Sequence, residues 1–407
     1  MSHPTPKSTP RARVREVLPT LHLGFHPPGP LNSLTDVPGV LVHTQSIQRP
    51  RGHNPSRPVS VINTGVTTIL PRADWYDNGC YSAIFSFNGS GELTGSHWIN
   101  ETGLLNSPIV LTNSLSVGSA YNGIYEYAVR EYADKDGLAD GFLLPVVGET
   151  YDGFLNDIGA MAVRSEMIVE GIDKASGGRV EEGNTGGGTG MLTMGFKAGT
   201  GSASRLVEGI ERGEKRDFVV GCLVQSNFGK KRNLRFGGVP VGRLFMEEDE
   251  RKEKEKKGLE GDLEERKKDG SIIVVLATDA PLHPTQLGRL VKRATVGLAR
   301  VGGFGTNSSG DVFIAFSTAS KVPREPELQG GMTPLQAQFT ARVEQSVDVV
   351  QDTTINGLFE AAAEAVEESI LNALCMAESM EGPRGYKAEA IDLDRLKRVV
   401  EGYGGGR

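Results

Sequence analysis

The sequence predicts an α+β fold in which sheets are sandwiched by helices. Apolar runs of strand character alternate with helical segments irregularly, rather than as a strict strand–helix repeat. Glycine is abundant, at 53 of 407 residues, which suits tight turns and close backbone approaches better than a helical bundle. Hydrophobic residues make up 38% of the chain, enough at this length to bury a large core.

The elements follow in order. Residues 1–20, MSHPTPKSTPRARVREVLPT, are proline-rich, lack the apolar centre of a secretory signal and read as a disordered tail. Segments 39–43, 58–63 and 81–88 read as short strands between Gly, Pro and Asn turns, and 107–112 and 142–147 as buried strands. Residues 113–132 read as a loop entering a helix, with Ser114 or Ser116 as caps. Segments 202–213 and 285–301 are helical in pattern, whereas 271–278 and 311–317 are strands. The clearest helix is 357–377, where Leu358, Ala362, Val366, Ser369, Ile370 and Ala373 share one face. A single domain over 21–390 is expected, followed by a C-terminal tail over 391–407. Between 247 and 269, 19 of 23 residues are charged, 11 acidic and 8 basic, which reads as a solvated surface insertion within the domain.

Charge and cysteine content exclude several classes. The net charge of −7 argues against nucleic acid as a partner. No apolar run reaches the roughly 18–20 residues of a membrane span. Cys80, Cys222 and Cys375 are widely spaced and lack metal-site spacing, so buried thiols in a cytoplasmic protein are expected. The glycines of 186–205 form neither a P-loop nor a dinucleotide fingerprint.

The segment GGFGTNSSGDVFIAF at 302–316 carries the chemistry. Flexible residues lead into Ser308 and Ser309, then Gly310, Asp311 and a strand. A serine at the edge of a strand can attack the peptide bond before it, leaving itself with a free α-amine. Such an amine has an ordinary pKa of roughly 7.7–8.0 and can serve as the serine's own base. None of the seven histidines lies near this segment, and no G-x-S-x-G elbow occurs. A plain polar turn before a strand is the alternative reading of these residues.

Nine blocks occur in one collinear order: TDVPGVLV at 35–42, NTGVTTILPR at 63–72, FNGSGELTG at 87–95, PIVLTNSLSVG at 108–118, PVVGETYDGFLNDI at 145–158, GGGTGMLTMGFKAGTGSASR at 186–205, VQSNFG at 224–229, the run at 281–318 ending in TNSSGDVFIAFST, and LFEAAAEAVEESILNAL at 358–374. Together they resemble the DmpA family of self-processing aminopeptidases, over roughly residues 30–380 without the charged insertion. The resemblance implies an αββα sandwich like that of the N-terminal-nucleophile hydrolases. It implies self-cleavage between Ser308 and Ser309 into chains 1–308 and 309–407 that stay associated, in a homo-oligomer of such units. The implied substrate is a short peptide or an aminoacyl amide or ester, with no metal or cofactor.

The resemblance also implies roles. Ser309 matches the nucleophile and Asn227 the amide that stabilises the tetrahedral oxyanion. Glu149 matches the carboxylate that holds the substrate's terminal ammonium. Asp152 and Asp157 lie close enough in sequence to shape that field, and Tyr151, Thr112 and Asn113 are candidates to line the same pocket. Glu368 matches a helix carboxylate that contacts the nucleophile, but Val366 stands where the family often has a hydroxyl residue. Lys197 is a candidate structural or site cation. An amidase or acyltransferase on other amides, and an uncut scaffold of the same fold, are the alternative functions.

Overall fold

A computed structural model describes residues 10–49, 60–139, 141–256, 270–324 and 345–404. Two sheets stack face to face. The smaller runs in the order β1 (Leu41–Arg49), β2 (Ile62–Leu70), β5 (Ile109–Asn113) and β6 (Val146–Thr150). The larger runs β4 (Leu104–Leu105), β3 (Asn78–Ser86), β12 (Gly310–Pro323), β11 (Ser271–Thr278), β10 (Glu214–Asn227) and β9 (Thr200–Glu211). A short hairpin, β7 (Leu192–Thr193) and β8 (Phe196–Lys197), precedes β9.

Side chains alternate across each strand, so one strand feeds two cores. In β12, Val312, Ile314 and Phe316 enter the layer between the sheets, whereas Phe313 and Ala315 face the helices. The inter-sheet layer joins Leu111 and Val146 to Leu223, Ile273 and Val275. Outside the smaller sheet, Val66, Val110 and Val147 pack on Ile124 of α3 (Val117–Tyr132) and Ile168 of α4 (Ser165–Lys174). Outside the larger sheet lie α6 (Pro284–Val291), α7 (Ala294–Val301) and α8 (Asn356–Met376), with Leu287, Leu298 and Ile370 against Val274 and Phe313. The result is the expected αββα sandwich.

The helix expected at 357–377 forms but is buried on almost every side, not along one stripe. It lies against β9 so closely that a Cβ on Gly201 would fall 1.9 Å from the Ser369 carbonyl oxygen. Glu364, Glu367, Glu368, Ser369 and Asn372 are all interior as a consequence.

Several expectations need correction. Segment 202–213 is a strand: β9 pairs with β10 from Glu211↔Glu214 to Thr200↔Gln225. Its turn takes positive φ at Arg212 and Gly213, the geometry of a tight hairpin, and this long-range pairing overrides the local helical pattern. Residues 10–20, expected in a disordered tail, pack on the core. Val14 and Leu18 are buried in α1 (Val14–Val17) and after it, and Arg13 pairs with Glu182 at 2.7 Å. The C-terminal region expected as a tail contains α9 (Leu393–Gly404), in which Leu393 and Leu396 are buried, as is Ile391 just before it. The first part of the charged stretch continues α5 (Val241–Lys256), where Glu248 and Asp249 pair with Arg395 at 2.9 and 2.7 Å. Residues 257–269 of that stretch lie outside the described residues, as do 1–9 and 405–407. Among the described residues, no helix is long and apolar enough to cross a membrane.

Candidate active site

Three adjacent strands end or begin in one row: Asn227 pairs with Ser271, and Ser271 pairs with Gly310. At about 4.8 Å per strand, the backbone of Asn227 lies about 10 Å from that of Gly310. Ser309 stands immediately before Gly310, at the mouth of β12, and is only 2% exposed.

The turn before the strand is closed by the Ser309 N–H, which donates to the Thr306 carbonyl at 3.0 Å. The Ser309 hydroxyl donates to Asp311 Oδ1 at 2.6 Å. Asn88 clasps both sides of the Ser308–Ser309 bond. Its Nδ2 donates to the Thr306 carbonyl at 3.2 Å and to Asp311 Oδ2 at 3.0 Å, while its Oδ1 accepts the Asp311 N–H at 2.6 Å. Burial pushes the Asp311 carboxyl above its ordinary range, opposed by the bonds from Ser309, Asn88 and the Ile272 N–H. Glycine is required at 310 because a Cβ there would lie 2.5 Å from Gly91 Cα.

Glu149, next to the end of β6, is 8% exposed. Its Oε1 accepts the Glu92 N–H at 3.1 Å, and its Oε2 accepts a short bond from the Ser114 hydroxyl. Residues 87–95 therefore join the two halves of the site. The Ser90 N–H donates to the Ser309 carbonyl at 3.2 Å, and Glu92 fixes Glu149 two residues later. Of the two residues expected as helix caps, Ser116 stands at the N-cap of α3, whereas Ser114 serves Glu149.

Asn227 is held flat. Its Oδ1 accepts the Leu192 N–H at 3.0 Å, and one Nδ2–H donates to the Tyr151 carbonyl at 2.9 Å. Tyr151 is 54% exposed, so it borders open space beside Glu149's strand.

Other candidates sit elsewhere. Asn113 is buried and caps the turn after β5: its Oδ1 accepts the Leu115 N–H at 3.1 Å and its Nδ2 donates to Thr64 Oγ1 at 2.7 Å. Thr64 in turn donates to the buried Asp152 at 2.6 Å. Burial raises Asp152 to about 7 despite the bonds from Thr64, Asn156 and Asn113. Thr112 points inward and donates to the Gly65 carbonyl at 2.9 Å. Asn113, Thr64, Asp152 and Thr112 are all buried, and Thr112 stands opposite Glu149 in the β5–β6 register, so they do not line an open pocket.

Glu368 is also placed away from the nucleophile. Arg15 Nε donates to it at 2.8 and 2.9 Å, Asn32 at 2.6 Å and Arg205 at 2.7 Å, and none of its described bonds reaches Ser309. Burial alone would raise its pKa, but Arg205 and Arg15 together with Asn32 hold it below the ordinary range. Val366 meets α7, where a Cβ on Gly297 would lie 2.6 Å from Val366 Cβ, so position 366 does not face Ser309 either. Helix periodicity put Glu368 on a small-residue flank but gave no sign of the two arginines that occupy it.

Lys197 is fully buried, its ammonium bonded to the Ala198 carbonyl, and desolvation lowers it to about 7. Its strand partner Leu192 is the residue that holds Asn227. In the glycine-rich block, the Gly186 and Gly187 N–H groups donate to Ser46 and Thr67 hydroxyls, which occupies the donors a phosphate would need. His26, Glu360 and Glu364 cluster closely enough to hold a cation. However, Glu364 already accepts from the Phe25 and His26 N–H groups and pairs with Arg205. Asn88, Ser90 and Glu92 are site residues that sequence reasoning missed as individuals, and Ser114 was read only as a cap. The signal was the turn chemistry of N-G-S-G, which placed a loop without saying what it touches.

Comparison with known proteins places the chain in a family. The sequence signature of peptidase family S58 matches residues 32–388. The chain is 38% identical over 380 residues to the β-peptidyl aminopeptidase BapA of Sphingosinicella microcystinivorans, covering 92% of this chain and 89% of that protein. It is 35% identical over 385 residues to BapA of Sphingosinicella xenopeptidilytica, covering 92% and 88%. Among solved structures, the L-aminopeptidase D-Ala-esterase/amidase of Ochrobactrum anthropi superposes with a TM-score of 0.80 at 39% identity, covering 97% of this chain and 99% of that one. That protein is described as a prototype serine aminopeptidase and a variant of the Ntn hydrolase fold. A Burkholderia β-aminopeptidase gives the same TM-score and coverage at 37% identity.

Proposed function

Because the chain belongs to peptidase family S58, the DmpA family of serine aminopeptidases with the N-terminal-nucleophile fold, we propose that it cuts itself between Ser308 and Ser309 and then removes N-terminal residues from short peptides, β-peptides included. The carrying observation is the loop that bonds both Ser309 and Glu149. It sets an anion for the substrate's ammonium at a fixed offset from a serine hydroxyl, which is what an aminopeptidase needs.

The turnover follows from these residues. The substrate ammonium seats on Glu149. The freed Ser309 amine takes the hydroxyl proton as Oγ attacks the first carbonyl carbon, and we assign the second N–H of Asn227 to the developing oxyanion. The amine returns the proton to the leaving nitrogen. Water then hydrolyses the ester on Ser309, with the same amine as base.

Two further proposals accompany this reading. The cut units assemble as a homo-oligomer, supported by the exposed apolar side chains Phe25 and Ile210. The protein works in the cytoplasm, which the three free buried cysteines suit. The test is hydrolysis of α- and β-aminoacyl p-nitroanilides by wild type and Ser309→Ala. Activity on the free-amine substrates, lost on N-acetylation and in the variant, is expected; activity surviving in Ser309→Ala would sink the assignment. Preferential transfer of the acyl group to an added amine over water would favour the acyltransferase alternative.

A further inference from the structure

Self-cleavage poses a problem that turnover does not. In the uncut chain the Ser309 nitrogen is an amide and has no basic lone pair, so the base proposed for turnover does not yet exist. Another group must take the hydroxyl proton. The described hydrogen bonds of Ser309 are its N–H to Thr306, its carbonyl from Ser90 and its hydroxyl to Asp311.

We propose that Asp311 is the general base of the cutting step, a catalytic role separate from turnover and one that rests on the self-cleavage reading. Its Oδ1 lies 2.6 Å from Ser309 Oγ, within the reach required of a general base. The other oxygen is fixed by Asn88, which also holds the Thr306 carbonyl three residues before Ser309. The carboxylate and the turn carrying the scissile bond are therefore parts of one clasp.

The step balances as follows. Asp311 accepts the hydroxyl proton while Oγ bonds to the Ser308 carbonyl carbon. The proton passes from Asp311 to the Ser309 nitrogen as the carbon–nitrogen bond breaks. This leaves an ester between Ser308 and Ser309 Oγ and a free α-amine. One water then adds to the ester carbonyl, releasing Ser308 as a carboxylic acid and returning a proton to Oγ. Burial of Asp311 supports the role, because a carboxyl raised above its ordinary range is a stronger base toward a hydroxyl.

The test compares full-length wild type, D311N and D311E by intact mass over time after a short induction. D311N keeps an oxygen that accepts the hydroxyl bond but cannot take its proton. Cleavage at least about 100-fold slower in D311N, with an unchanged melting curve and partial recovery in D311E, is expected. D311N cleaving within about threefold of wild type overturns the assignment. If wild type itself stays uncut, the self-cleavage reading falls and this assignment falls with it; a cut wild type beside an equally fast D311N removes this assignment alone. If D311N does not fold, N88A carries the test: it keeps the carboxylate but loosens its clasp, so the reaction slows enough to time. The groups bonded to Asp311 are Ser309, Asn88 and the Ile272 N–H, none of which titrates in the acid range. The N88A rate should fall as the pH drops from neutrality into the range where a carboxyl raised above its ordinary value takes up its proton, and a flat profile overturns the proposal.

Discussion

Glu149 accepts the backbone N–H of Glu92 at 3.1 Å. Through residues 90–92 that bond couples the position of the site's anion to the carbonyl of Ser309. Two donors pin this carboxyl in a largely buried setting, at the place proposed for the substrate ammonium, and attraction there is less screened than in bulk water.

Glu149→Gln removes that charge and keeps the shape. Losing one partner of a buried charge pair typically costs about 2–5 kcal/mol, so kcat/KM should fall by roughly 30-fold or more, chiefly through KM. Steady-state kinetics on a free-amine anilide checks this. An unchanged KM would mean that the ammonium is held elsewhere.

Asn227→Ala tests the oxyanion role. Removing one such donor costs about 10²–10³ in kcat, and KM should stay near wild type. Intact mass must accompany the kinetics, because a block in self-cleavage would also abolish turnover. A cut variant with full kcat would refute the role.

Much of this was legible because the sequence writes its sheet core plainly. Segments 271–278 and 311–317 are continuous apolar runs, and they became the paired central strands β11 and β12. The S-G-D motif likewise carried its own geometry: Gly310 for the approach of Gly91, Asp311 for the hydroxyl. Glu368 was misplaced for a different reason. Its neighbours Arg15, Asn32 and Arg205 come from positions 163 to 353 residues away, and no local pattern reports such partners. The same holds for 202–213, where pairing with β10 decides the conformation. Residues 10–20 misled because nearby prolines masked the apolar spacing of Val14, Val17 and Leu18.

Glu368→Gln should therefore be a stability variant. It leaves the fully buried Arg205 with a weakened partner, and breaking a buried pair costs about 3–5 kcal/mol. Urea denaturation should show the loss, while kcat per folded enzyme stays within a few-fold of wild type. A hundredfold loss of kcat at unchanged stability would restore Glu368 to the catalytic set.

Lys197 gives stability a pH dependence. Folded, it loses its proton at about 7; unfolded, it holds it to roughly 10.4. Between those values the unfolded chain binds more protons, so this residue makes stability rise with pH from about 7 to about 10. Asp152, raised to about 7, acts oppositely below neutrality: the folded state binds the extra proton, and its contribution declines from about pH 4 to about pH 7. Urea midpoints of Lys197→Met should lose the alkaline rise and keep the acid decline. A rise that persists would assign it to another group.

Intact mass of the freshly purified full-length chain, with amine-selective labelling of new N-termini, tests the central claim most directly. Two fragments matching 1–308 and 309–407, with the label on Ser309 and both lost in Ser309→Ala, are the expected result. A single uncut chain that nonetheless hydrolyses aminoacyl anilides would contradict it.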